Sequence, residues 1–157
     1  MKSKHVLIAG GTGFIGYHLA NFLLKKKFIV TSLSSRTPPK IRKLKKVKYI
    51  KEDINNMKKI IKIKDKFNYV INLAGYVDHS NKKKTYDTHY KGCVSLVKIF
   101  RETKLDVFLQ VGSCLEYGKL NSPQKESEGF KPMANYGKSK FLATKFLLKN
   151  FKSHKFP

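Results

Sequence analysis

An apolar run, Val6-Leu-Ile-Ala9, breaks into Gly10-Gly-Thr-Gly13-Phe-Ile-Gly16, and few folds accommodate that sequence of textures. The residues from His5 to Ala9 are apolar and β-branched enough to predict a buried parallel strand. Beyond the glycines, Phe14, Ile15, Leu19, Phe22 and Leu23 recur at helical spacing. Between strand and helix, Gly10 permits a tight turn and Gly13 lets the backbone approach a pyrophosphate resting on the positive helix N-terminus. Gly16 lets the helix pack close against the strand. Gly-x-Gly-x-x-Gly alone is a weak signal, but a strand before it and a helix after it are the context the motif requires. The chain is therefore expected to bind a dinucleotide. The glycines fit both Gly11-x-Gly13-x-x-Gly16 and Gly10-x-x-Gly13-x-x-Gly16, so by themselves they do not choose a family.

A second motif lies about 120 residues further on, where Tyr136-Gly-Lys-Ser-Lys140 opens an amphipathic segment, Tyr136 to Asn150, striped by Phe141, Leu142, Phe146 and Leu147. At positions i and i+4 of a helix, the phenol of Tyr136 and the ammonium of Lys140 share one face. A neighbouring ammonium favours the phenolate, bringing a group of ordinary pKa about 10 toward a value useful for proton transfer.

The coarse pattern alternates. Strands are expected near His5 to Ala9, Ile29 to Leu33, Val47 to Ile50, Tyr69 to Leu73 and Val107 to Gly112. Helices are expected near Phe14 to Lys26, Asn56 to Ile63, Asp87 to Glu102 and Tyr136 to Asn150, with a basic segment of undefined structure from Pro38 to Lys46. Such alternation predicts an α/β fold, a Rossmann-like doubly wound parallel sheet with helices on both faces. Ser113 to Met133 is the long loop, at the carboxyl end of a strand where open α/β sheets place ligands. There is no internal repeat, low-complexity tract or linker, so residues 1–157 read as one domain.

The formal net charge of +24, from 34 basic and 10 acidic residues, raises nucleic acid or an anionic membrane as partners. Only three of the basic residues are Arg, whereas specific phosphate and base recognition leans on the Arg fork. The lysines are scattered over 25–27, 40–48, 58–66 and 82–84, as on solvated helix faces and loops, so no specific nucleic-acid role is expected. The same field favours encounter with anionic ligands such as the expected dinucleotide, with marked salt dependence. Two cysteines, Cys93 and Cys114, make no disulfide framework, and the histidines show no metal-ligand spacing. The short apolar run after Lys4 enters the glycine turn rather than a cleavage site, and no stretch is long and apolar enough to span a membrane. Cytoplasm is the expected compartment.

With both motifs in hand, the chain resembles the extended short-chain dehydrogenase/reductase family, the NAD-dependent epimerase/dehydratase group acting on nucleotide sugars. Gly10 to Gly16, including Phe14 and Ile15, resembles its cofactor loop, and Asp53-Ile54 resembles its adenine-contacting Asp segment. Asn72-Leu73-Ala74-Gly75 resembles the end of its fourth strand, and Ser113-Cys-Leu-Glu-Tyr117-Gly118 its Ser/Thr-x-x-x-Tyr-Gly stretch. Pro123, Glu126 and Pro132 fall where the family's loop leads into Tyr136 and Lys140. The resemblance implies that Tyr136 exchanges a proton with a sugar oxygen and that Ser113 hydrogen-bonds the same oxygen. Lys140 would lower the Tyr136 pKa and hold the nicotinamide ribose, with hydride transfer supplied by the cofactor.

Departures from the family pattern sharpen these expectations. After the second strand, where an NAD enzyme usually has a carboxylate, stand Ser34, Ser35 and Arg36, which could bind a 2′-phosphate, so NADP is expected with NAD as second choice. Cys114 and Leu115 replace the Asp-Glu pair of the 4,6-dehydratases, which argues against dehydration. Reduction of a 4-keto nucleotide sugar is then the leading expectation, with 4-epimerisation as the alternative. A noncatalytic dinucleotide-binding module is the rival from another class. Cys114 is expected to be a small buried hydrophobe. His89 stands where the family commonly has Asn. Family members run to roughly twice this length, so the chain is expected to stop before a sixth strand and the substrate domain, and helices 87–102 and 135–150 are where the resemblance implies a homodimer.

Overall fold

A computed structural model of the chain describes residues 4–157. Five parallel strands form one sheet: β1 (His5–Ala9), β2 (Ile29–Ser34), β3 (Val47–Lys51), β4 (Tyr69–Asn72) and β5 (Val107–Gln110), in spatial order β3-β2-β1-β4-β5. The order reverses between β1 and β4, where Val6 pairs with Tyr69 and Ala9 with Asn72. That switch point leaves a crevice at the carboxyl ends of the strands, into which the glycine turn after β1 opens.

The sheet is covered on both faces because β1 is apolar and buried at successive positions, Val6 to Ala9, rather than at alternate ones. Val6 and Ile8 face one layer, with Val30 and Val47, and pack on Ala20 and Leu23 of α1 (Phe14–Lys25). Leu7 and Ala9 face the other, with Leu33, Ile50, Val70 and Phe108. This second layer is built by α4 (Gly92–Phe100), contributing Cys93, Leu96, Val97 and Phe100, and by α5 (Asn135–His154), contributing Ala143.

Three helices differ from expectation. The segment expected to be helical from Asn56 to Ile63 forms only α2 (Lys58–Ile61) and a 3₁₀ turn at Lys64–Lys66. Ile60 is fully buried while Ile61 is half exposed, so lysines surround a single anchor and no apolar stripe sustains a longer helix. The helix expected at Asp87 begins earlier, with α3 (Lys82–Tyr86), because the Asn81 side chain caps it by accepting from the Lys84 N–H at 2.9 Å. Between α3 and α4 the run is π-helical over Asp87–Lys91. The third, α5, extends past Asn150 to His154, where Lys155 adopts a left-handed conformation and ends it.

Strand β5 lies at the sheet edge, with Val107 and Leu109 each 45% exposed. Its Phe108 N–H donates to the Pro157 carbonyl at 3.0 Å, and Phe156 packs its ring on Phe108.

Candidate functional site

The glycine turn has the geometry expected of it. Gly10 has φ +83°, donates its N–H to the Leu33 carbonyl at 2.8 Å, and leaves no room for a Cβ, which would lie 2.7 Å from the Leu73 carbonyl. A Cβ on Gly16 would meet the Gly10 oxygen at 2.5 Å, so the first turn of α1 rests directly on the glycine turn. A Cβ on Gly13 would meet only that same oxygen, at 3.3 Å. Gly13 caps α1 with no side-chain bond and no acidic residue stands in the first turn, which leaves the first-turn N–H groups as candidate donors to an anion. The Phe14 and Ile15 side chains stand exposed beside it, with the Arg42 guanidinium 6.0 Å above the Phe14 ring.

The structure changes the expected parts of Ser34 and Ile54. The Ser34 hydroxyl donates to the Leu33 carbonyl at 2.7 Å and accepts the Thr12 N–H at 3.3 Å. It ties β2 to the glycine turn, so its proton is not free for a phosphate. Arg36, two residues on, is exposed. Asp53 is exposed and accepts the Asn55 N–H at 2.7 Å, while the Ile54 side chain is buried against Gly92, where a Cβ would come within 2.8 Å of its Cγ2. Ile54 can therefore meet a ligand only through its backbone.

At the end of β4 the Leu73 N–H donates to the Ala9 carbonyl, and the buried Asn72 shapes the turn beyond the strand. Its Oδ1 accepts the Ala74 N–H at 3.1 Å and its amide donates to Gln110 Oε1 at 2.7 Å. Leu73, Ala74 and Gly75 are thereby held opposite the glycine turn.

On the other side of the crevice, Tyr136 and Lys140 lie in the first two turns of α5. Lys140 is buried and its ammonium donates to the Val111 carbonyl, just beyond β5. Burial lowers its pKa, while the Glu116 carboxylate and Cys93 pull the other way. Two residues past Val111, Ser113 caps a 3₁₀ turn over Cys114–Glu116, its Oγ accepting the Leu115 N–H at 3.2 Å. The Ser113 side chain keeps its own proton for a ligand. Gly137 packs so tightly on this turn that a Cβ would lie 2.4 Å from the Leu115 oxygen, which brings the Ser113 loop against the start of α5.

Glu116 has a part that sequence reasoning missed. It is buried, accepts the Ser113 N–H at 2.8 Å and accepts the Thr144 hydroxyl at 2.7 Å, bracing the loop against α5. The signal was present as a capping box, Ser113-x-x-Glu116. Cys114 is exposed, contrary to expectation, because the turn directs it away from α5; the buried cysteine is Cys93, whose thiol is pushed up to about 12 by burial. His89 is buried too, and burial brings its pKa down to about 4. Among the described residues no group of His, Cys, Asp and Glu could hold a metal ion, and no helix is long and apolar enough to cross a membrane.

A parallel sheet with this strand order and a glycine turn opening α1 at the switch point define a Rossmann-like fold. The sequence model of the NAD dependent epimerase/dehydratase family matches residues 6–157, and the chain belongs to that family. A UDP-glucose 4-epimerase of Lactobacillus helveticus is 28% identical over 150 residues, covering 90% of this chain and 46% of that protein. The UDP-N-acetylglucosamine 4-epimerase of Methanobrevibacter ruminantium M1, solved with UDP-N-acetylmuramic acid, superposes with a TM-score of 0.88 at 25% identity, over 99% of this chain and 53% of that one. The UDP-glucose 4-epimerase of Brucella ovis, solved with NAD, does so with a TM-score of 0.87 at 25% identity, over 98% and 50%. The chain thus spans about half the length of each of these relatives.

Proposed function

We propose that this chain is the dinucleotide-binding part of a nucleotide-sugar 4-epimerase, with Tyr136 as the proton carrier. The observation that carries this reading is the convergence of Tyr136, Lys140 and the Ser113 loop at one end of the crevice, with Lys140 anchored to the Val111 carbonyl. Similarity to UDP-sugar 4-epimerases moves the preference from 4-keto reduction to epimerisation. Cys114 and Leu115 still offer no acid-base pair for dehydration.

The crevice fits a nicotinamide dinucleotide: a Cβ at Gly10 or Gly16 would fill the turn, and Gly13 begins α1 without a side-chain cap. When bound, such a cofactor would supply reversible hydride transfer at a sugar carbon. Gly10, Gly13, Gly16 and the backbone of Phe14 and Ile15 hold the diphosphate, and Leu73, Ala74 and Gly75 form the facing wall. Asp53 and the Ile54 backbone meet the adenine. Tyr136 Oη takes the proton from the sugar hydroxyl as the hydride leaves and gives it back on return. The Ser113 hydroxyl orients that oxygen, and the Lys140 ammonium favours the phenolate and binds the nicotinamide ribose. NAD replaces NADP as first choice, because an epimerase regenerates its cofactor within each turnover and the Ser34 proton is committed to Leu33.

The same reading keeps the homodimer face on the helices over 87–102 and 135–150; along the latter, Phe141 and Leu148, with Phe130 beside them, line a groove of about 450 Å³ flanked by Lys145, Lys149 and Lys152.

Calorimetric titration with NAD and NADP, on the chain and on Arg36→Ala, tests the cofactor. NAD binding that survives Arg36→Ala is expected. Arg36-dependent preference for NADP restores the reductase reading, and binding of neither overturns both. UDP-sugar turnover that Tyr136→Phe removes while NAD binding persists separates an enzyme from a noncatalytic module.

A further inference from the structure

Tyr136 is gripped by two histidines that have no part in the proton and hydride transfers. His79, exposed in the loop between β4 and α3, lays its ring flat on the phenol, with centroids 4.2 Å apart and planes at 15°. His89 meets the same ring edge-on, at 4.9 Å and 83°, and its centroid is 6.1 Å from that of His79.

The backbone is shaped to present His89. It lies at the centre of the π-helical turn Asp87–Lys91, a widened geometry that concentrates at functional positions. Its Nε2 is 3.3 Å from both the Tyr76 N–H and the Tyr76 carbonyl, which pins the start of the His79 loop to the helix. The adjacent Cε1 faces Gly75, where a Cβ would come within 3.1 Å of it. Its buried Nδ1 has no hydrogen-bond partner among the described residues. A packing residue would be better served by an apolar ring, since an unpaired buried nitrogen is costly. One imidazole thus fixes an edge of the phenol and the root of the loop, while the other covers a face of the phenol from the tip of that loop.

We propose that His79 and His89 are positioning residues for Tyr136, a two-imidazole clamp that sets the plane of the phenol and draws the loop carrying His79 over it. The clamp rests on the reading of Tyr136 as proton carrier. Edge-on and stacked rings attract through their quadrupoles, so the clamp orients the hydroxyl without consuming it. The two histidines hold the phenol by a face and an edge of its ring, which leaves the Oη to a ligand. The charged and titratable groups around the clamp are Lys140 from α5 and Asp78 beside His79, the latter held below the usual carboxylate range mainly by its hydrogen bonds to Ser80.

The test is an NMR measurement of the histidine and tyrosine ring signals of the chain, assigned with His79→Gln and Tyr136→Phe. His79 ring protons are expected upfield of a free imidazole, to stay there in Tyr136→Phe and to relax in Tyr136→Leu. The Tyr136 ring signals should move reciprocally in His79→Gln, which keeps the test decisive should Tyr136→Leu fold poorly. His79 signals at the free position in the wild type, blind to Tyr136, overturn the clamp. In UDP-sugar turnover, His79→Ala should lower kcat about three- to tenfold at unchanged KM, with recovery in His79→Phe. A stack that is present while His79→Ala leaves kcat unaltered overturns the positioning role. Absence of turnover in the wild type counts against the epimerase reading, and the clamp is then judged on the ring signals.

Discussion

At the scale of single residues, the site is a set of groups whose properties depend on burial. His89 takes up a proton less readily in the folded chain than in the unfolded one, because its folded value near 4 lies below the ordinary 6.5. Stability from this residue is complete above about pH 6.5 and is lost as the pH falls toward 4, a loss on the order of 3 kcal/mol. Urea unfolding at pH 7.5 and 4.5 should show that loss in the wild type and a smaller one in His89→Gln. Gly16 is constrained by contact rather than charge, and Gly16→Ala should cost about 1–3 kcal/mol by forcing a methyl against the Gly10 carbonyl. It should weaken NAD binding as well, since the same contact sets the shape of the glycine turn. Calorimetry and thermal melts on that variant check both effects. The glycine turn and the Tyr136-Lys140 pair were legible in the sequence because they are local patterns. Asn72 and His79 were not, since their roles depend on partners 38 and 57 residues away; the capping box at Glu116 was legible, but its bond to Thr144, 28 residues on, was not.

At the scale of elements, the active end of the sheet depends on how two of them are tied together. Glu116 accepts from the Ser113 backbone on one side and from Thr144 of α5 on the other, so the loop after β5 and the helix bearing Tyr136 move as a unit. Glu116→Ala strands both donors and should destabilise the chain by about 1–3 kcal/mol. It should also shift the Ser113 and Tyr136 resonances together, whereas Glu116→Gln, which keeps an acceptor, should do less. Element type was legible where an apolar stripe is long, as in α1 and α5. It failed at 56–63, where Ile60 alone anchors a lysine-rich segment, and it could not reveal the π-helical turn, since no local pattern marks that turn off from the α-helical turns beside it.

For the whole molecule, charge and edges dominate. With a net charge of +24, association with an anionic dinucleotide should be driven partly by a long-range field. The affinity for NAD measured at 50 and 300 mM salt should therefore fall at the higher concentration as the field is screened. Sedimentation tests the homodimer, and Leu148→Glu, placing a charge in the α5 groove, should move the population toward monomer. The sequence by itself determined the parallel α/β architecture, the glycine turn and the spacing of Tyr136 and Lys140, because each is written within a strand, a turn or a helix period. Only the tertiary structure decided which hydroxyls are already engaged, which cysteine is buried and which histidines face Tyr136. Those are matters of packing between distant segments, and they are fixed when the sheet brings the ends of β4 and β5 against α5.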